Sequence, residues 1–172
     1  VPGGPGHGCG HNMIGSASAT AAIALKNIME KEGLDATGIS NLLNKKSGVM
    51  GVFEKSSDMR DLESAAAAGE PRAVLAESMY FYRIKKYIGQ YAAAMGGVDI
   101  ILFTGGAGEN QWEVREGATA GLEYMGVKMD AEKNRACRAT EAVLSADDSK
   151  VTVCCIPTDE ELMIALDTQA LC

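Results

Sequence analysis

The run Val98-Asp99-Ile100-Ile101-Leu102-Phe103-Thr104, followed at once by Gly105-Gly106-Ala107-Gly108-Glu109-Asn110, constrains this chain more than any other feature. A near-continuous apolar run with β-branched residues predicts a strand buried on both faces. The glycines after it stand where a strand hands over to a helical pattern that runs to about Met125, with Gly126 as its C-cap. Val151 to Ile156, bounded by Pro157, is a second buried-strand candidate. Thr158-Asp159-Glu160-Glu161 then has capping-box spacing, which predicts a last helix from Asp159 towards Leu171. Strand, glycine turn, helix, strand and capped helix is an α/β order.

Upstream, the clearest helix spans residues 71 to 95, with Pro71 in its first turn, apolar residues at three- and four-residue steps, and Gly96-Gly97 at its end. Residues 14 to 31 form another helical pattern that Gly33 would cap, and a short helix is expected from Ile39 to Lys46. Val49 to Lys55 reads as a brief strand or loop, and the Gly- and Pro-rich residues 1 to 11 as a loop or tail. At 172 residues the chain suits one packed core, either a domain or part of a larger protein.

A net charge of −7 gives no footprint for nucleic acid or for an anionic membrane, although a small anion could still bind locally. The five cysteines are odd in number and lack CxxC spacing, so no disulfide framework is expected. With no apolar stretch long enough to cross a bilayer, the expected setting is soluble, reducing and cytoplasmic. A chain that starts at Val1 hints at a longer gene product that has been trimmed.

Several groups could carry chemistry. The 105–110 turn lies where open α/β sheets bind ligands, and its glycines would let backbone N–H groups approach a nucleotide; a plain tight turn explains them as well. It is not a Walker loop, because no Lys-Ser or Lys-Thr follows. Asp159, Glu160 and Glu161 follow a strand end, where Mg²⁺ accompanying a nucleotide is held, though capping and the helix dipole account for acidic residues there too. His7, Cys9 and His11 could contact one Zn²⁺ or similar ion within a glycine-rich loop, although further ligands are not evident. Cys154 and Cys155 look like small strand hydrophobes, and Arg83, Lys85 and Lys86 like a solvated helix face.

Five stretches carry a resemblance: Leu43 to Gly51 (LNKKSGVMG), Ser57 to Asp61 (SDMRD), Tyr82 to Gly89 (YRIKKYIG), Phe103 to Asn110 (FTGGAGEN) and Ile156 to Leu162 (IPTDEEL). They keep their order, and from about residue 29 to 167 the chain resembles the C-terminal portion of the acetate kinase family. The resemblance implies part of an actin-like and sugar-kinase-like (ribonuclease H-like) α/β domain, with long helices packed on a mixed sheet. It also implies ATP or ADP with Mg²⁺ as cofactors and phosphoryl transfer between ATP and acetate. Asp58, Met59 and Arg60 would line the adenosine pocket; Gly106, Ala107, Gly108, Glu109 and Asn110 would form the nucleotide loop; Glu160 would be the Mg²⁺ carboxylate. Ala107 departs from the family's usual Ile, and Asp159 from its usual Asn.

The family's acetate pocket, its His-Leu-Gly-Asn-Gly stretch and its catalytic Arg, His and Asp have no counterpart in these residues. The chain alone is therefore expected to be a weak or inactive kinase, with a homodimer or a complementing kinase half as partner. Residues 1 to 30 instead resemble a metal-binding segment of metal-dependent amidohydrolases of the aminoacylase and carboxypeptidase type, in which Cys9 and His11 would be metal ligands. A chimera is expected on that basis: residues 1–30 of amidohydrolase-like origin, and residues 31–172 as an acetate-kinase-like C-terminal nucleotide-binding domain. A recombined α/β protein without ligand, or a remnant amidohydrolase, would be the alternatives.

Overall fold

The computed structural model describes the backbone of residues 11–171 and the side chains of residues 17–171. These fall into two compact units that divide after Gly51.

In the first unit, α1 (His11–Glu32) closes at Gly33, whose positive φ of 63° lets Leu34 N–H turn back to the Met29 carbonyl at 2.8 Å. The next helix, α2 (Ala36–Lys45), starts three residues before the expected Ile39 because Asp35 caps it, its Oδ1 accepting from Gly38 N–H at 2.7 Å. The segment read as strand or loop is a short helix, α3 (Gly48–Phe53), which carries the chain across the boundary. A six-residue apolar stretch does not reveal its period, so helix and strand read alike there.

The first helix wholly within the second unit is α4 (Met59–Ala67), an element not anticipated from the sequence. Its signal was present: Asp58 is the N-cap, and its Oδ1 accepts from Arg60 N–H at 2.9 Å. Then α5 (Pro71–Met95) runs as expected from its first-turn proline to Gly96, which adopts the left-handed conformation. It packs along α4 and along α7 (Trp112–Thr119), where the ring of Phe81 occupies the space a side chain at Gly117 would need.

The sheet is mixed. Strand β1 (Ile100–Phe103) pairs in parallel with β3 (Thr152–Cys155), and the short β2 (Ala142–Val143) pairs antiparallel with the other side of β3. The core gathers on one face of it: Ile101, Phe103, Val153 and Cys155 from the strands meet Ala118, Leu122, Val127 and Leu144. Burial of β1 on both faces does not hold, because Ile100 and Leu102 are 60% and 47% exposed. An apolar run shows which residues favour burial, but not how many layers cover the sheet.

The Gly105–Asn110 segment is no open turn either. It winds into the short helix α6, entered through Gly105 at a φ of 72°. Poor helix propensity is overridden there by packing, since Gly108 lies directly against the backbone of Phe103. The helical run expected to reach Met125 breaks at Ala120 and resumes as one 3₁₀ turn, Glu123–Met125, that ends at the left-handed Gly126. After α8 (Ala131–Ala136), β2 and β3, the chain closes with α9 (Glu160–Leu171), all of whose described residues are exposed.

Candidate functional site

At the carboxyl end of β1 a cleft of about 640 Å³ opens between the start of α4, the α6–α7 corner and the end of α8. Its volume lies within the range of small-molecule sites. Asp58, Met59 and Arg60 line one side and Gly106, Ala107 and Asn110 another, so six sequence-nominated residues from two distant segments meet on one surface.

Gly106 has open space where a Cβ would project, so a ligand can approach its backbone. Asn110 closes the turn by donating its Nδ2–H to the Gly106 carbonyl at 2.9 Å. Arg60 donates from Nε and Nη2 to the two carboxylate oxygens of Asp58 at 3.1 and 2.6 Å. These bonds, with that from the Arg60 backbone N–H, hold the Asp58 carboxyl at about 2. Asp58 therefore faces the cleft ionised at neutral pH.

Gly108 and Glu109 are not among the lining residues. Gly108 is spent on packing against Phe103, and the Glu109 side chain turns away towards Thr158. Glu160 also stands apart from the cleft, exposed at the first position of α9. The capping expected of Thr158 is performed by Asp159, whose Oδ1 accepts from Leu162 N–H at 3.0 Å, because the Thr158 hydroxyl is bonded to Glu109. Cys9 lies outside the described residues, as does His7, and of His11 only the backbone at the start of α1 is described.

Other cleft residues were missed in the sequence. Arg135 and Arg138 come from the α8 end, with the guanidinium of Arg135 4.7 Å from the ring centre of Trp112. With Arg60 paired to Asp58, these two cations face one further carboxylate, Glu63, so the lining carries a small positive excess in a chain of net charge −7. Gln111 joins two walls by donating its Nε2–H to the Met59 carbonyl and to Glu63 Oε2 at 3.2 and 2.8 Å.

Beneath the cleft lies fully buried Arg115. Its Nη1 donates to the carbonyls of Gly108 and Glu109 at 2.8 and 3.1 Å, and its Nη2 to those of Asn134 and Cys137, both at 2.8 Å. Its Nε donates to Asn134 Oδ1 at 2.7 Å. The end of α6 and the end of α8, the two walls that border the cleft, are thus pinned by one planar fork. No sequence period marks this role, because four of its five acceptors are backbone carbonyls.

Behind Gln111, burial raises the carboxyls of Glu77 and Glu113, and the facing charge of Glu63 pushes both further. Burial likewise pushes the Cys155 thiol up to about 11, which fits a packing role and not a nucleophilic one. Among the described residues no cluster of three or more His, Cys, Asp or Glu could hold a metal ion. Glu160 offers a single exposed carboxylate, and Mg²⁺, which keeps most of its waters and is shared with nucleotide phosphates, would need only one or two from the protein.

A mixed α/β sheet with a cleft at the carboxyl end of its strands, bordered by a glycine-rich α6 and the start of α4, places the domain in the actin-like, sugar-kinase-like fold class. The sequence model of the Acetokinase family matches residues 12–166, and the chain belongs to that family.

It is 72% identical over 148 residues to an acetate kinase of Phocaeicola vulgatus, covering 86% of this chain and 37% of the relative. It is 64% identical over 160 residues to one of Bacteroides fragilis, covering 92% and 40%. Among solved structures it superposes on the acetate kinase of Porphyromonas gingivalis with a TM-score of 0.79 at 56% identity, covering 86% of this chain and 37% of the other. The chain therefore spans about 37–40% of the length of these relatives.

The family match starts at residue 12, within the segment expected to have another origin. An amidohydrolase derivation of residues 1–30, and a chimera joined near residue 30, find no support. From His11 the described backbone is one helix, α1, and helical small-residue patterns are shared by many unrelated folds.

Proposed function

We propose that this chain binds Mg-ATP or Mg-ADP in the α4–α6–α8 cleft, as the nucleotide side of an acetate-kinase-like phosphotransferase that interconverts ATP and acetate with ADP and acetyl phosphate. One observation supports the reading above others: Asp58, Met59, Arg60, Gly106, Ala107 and Asn110, nominated from sequence alone, converge on a single cleft. Open backbone at Gly106 would receive the nucleotide, and the Asp58–Arg60 pair would border its adenosine end. Glu160 would hold Mg²⁺, which when bound neutralises phosphate charge.

Phosphoryl transfer also needs cations and donors around the moving group, and the acetate pocket, none of which this chain is expected to supply. Turnover is thus assigned to this nucleotide side combined with a kinase half that carries those groups, with the cytoplasm as its setting. No described helix is long and apolar enough to cross a membrane.

Trp112, the only tryptophan, lines the cleft and reports on it directly. Titration with Mg-ATP is expected to give a saturable change in its fluorescence. In Gly106→Val the added side chain would project into open cleft space without disturbing the packing, and the change should disappear while the melting temperature without ligand is kept. No fluorescence change in the parent chain, together with an unmoved melting temperature, would favour an α/β protein without nucleotide.

A further inference from the structure

Glu109 is 9% exposed, and one of its oxygens, Oε1, accepts three hydrogen bonds. The donors are Gly105 N–H at 2.8 Å, Thr158 N–H at 2.8 Å and the Thr158 hydroxyl at 3.1 Å. Its backbone carbonyl is fixed as well, accepting from Ala139 N–H at 3.0 Å and from Arg115 Nη1 at 3.1 Å. The residue is therefore a rigid node between the turn after β1 and the connection after β3.

What lies beyond that node gives it meaning. The ladder between β1 and β3 ends at Ile156 N–H, which donates to the Phe103 carbonyl at 3.0 Å, and Thr158 is the next residue held. Past Thr158, among the described residues, the hydrogen bonds of the chain stay within its own segment: Leu162 to Asp159, Met163 to Asp159 and Thr168 to Ile164. The Glu109–Thr158 bonds are thus the last that tie the chain to another segment before the exposed α9, and Glu160 lies two residues on.

We propose that Glu109 is a positioning residue: its carboxylate fixes the start of α9, and with it Glu160, against the nucleotide-binding helix α6. The proposal rests on the nucleotide reading above. The bonds accepted from two backbone N–H groups and a hydroxyl need an acceptor oxygen of the right shape. A carboxylate supplies the stronger acceptor, and the side-chain amide of glutamine supplies one in the same place. Cutting the tether also releases Gly105 N–H, but Asn110 and Arg115 still hold α6 by its carbonyls, so the coupling to Mg²⁺ should suffer more than nucleotide binding itself.

The test titrates ATP into the intact chain, once with EDTA and once with excess Mg²⁺, following Trp112 fluorescence in parallel with amide exchange at Thr158. In the parent chain Mg²⁺ is expected to tighten ATP binding by roughly tenfold, the usual order of a coupling between sites. Glu109→Ala should lose the gain with a smaller change in Mg²⁺-free affinity, and speed exchange at Thr158. Glu160→Gln should lose the same gain with exchange unchanged, and Glu109→Gln should restore most of it. If Glu109→Ala does not fold, Thr158→Val, which removes the hydroxyl arm alone, should lose part of the gain.

A gain that survives in Glu109→Ala, or in Thr158→Val where that variant stands in for it, overturns the tether, as does a Glu109→Gln variant no better than alanine. ATP binding that Mg²⁺ does not tighten in the parent chain overturns it too. No saturable ATP binding in the parent chain instead overturns the proposed function, and unchanged exchange at Thr158 in Glu109→Ala then removes the tether independently.

Discussion

Gly105, Gly106 and Gly108 are glycines for different reasons. Gly105 takes a positive φ to leave the strand, Gly106 leaves its backbone open to the cleft, and Gly108 packs on Phe103. The spacing alone suggested the second reason, and only the packing exposes the third. Glu109 next to them follows the same logic: its place in the motif suggested contact with nucleotide, whereas its carboxylate is committed to Thr158. The acidic group behind the cleft yields a pH prediction at this scale. Glu77 is raised by burial and by the facing charges of Glu113 and Glu63, while Glu113 is raised by burial, Glu63 and Glu116 and partly offset by Arg115. A carboxyl raised in the folded state contributes stability below its unfolded value, and that contribution is lost as pH rises through the folded value. Glu77→Gln should therefore raise the melting temperature near about pH 7 and change it little near about pH 4, as read by thermal unfolding at both pH values. An equal shift at both would remove the electrostatic account.

At the scale of elements, α5 was legible because twenty-five residues of apolar periodicity, a first-turn proline and a terminal glycine agree. The short elements were not. The helices α3, α6 and α8 span six residues each, and for such lengths local preference is weak beside what the rest of the chain packs on them. The contact of α5 with α7 depends on Gly117, whose Cβ would fall 2.2 Å from the Phe81 ring. Gly117→Ala favours helix formation locally yet should destabilise the unit by about 1–3 kcal/mol through overpacking, measured by urea unfolding. A neutral or stabilising result would mean that the two helices part more readily than their packing implies.

Across the whole molecule, apolar surface is left in water on the bare face of β1, at Ile100 and Leu102, and along α9, where Leu162, Met163, Ile164 and Leu166 are exposed. Surface of this kind is commonly covered by a partner, so light scattering should find a dimer or larger species. A strict monomer at high concentration would count against that expectation. The covering layer illustrates where sequence ends. Residue order by itself determined the α/β class, the long helix, both core strands, the glycine segment at a strand end and the family motifs, because each depends on periodicity or on local chemistry. The tertiary structure decided which of these meet. Asp58 and Gly106 line one cleft, Arg115 pins two helix ends through carbonyls, and Glu109 joins the ends of two parallel strands. Such contacts follow from how distant segments close on each other, and a backbone carbonyl that accepts one of those bonds belongs to every residue type alike.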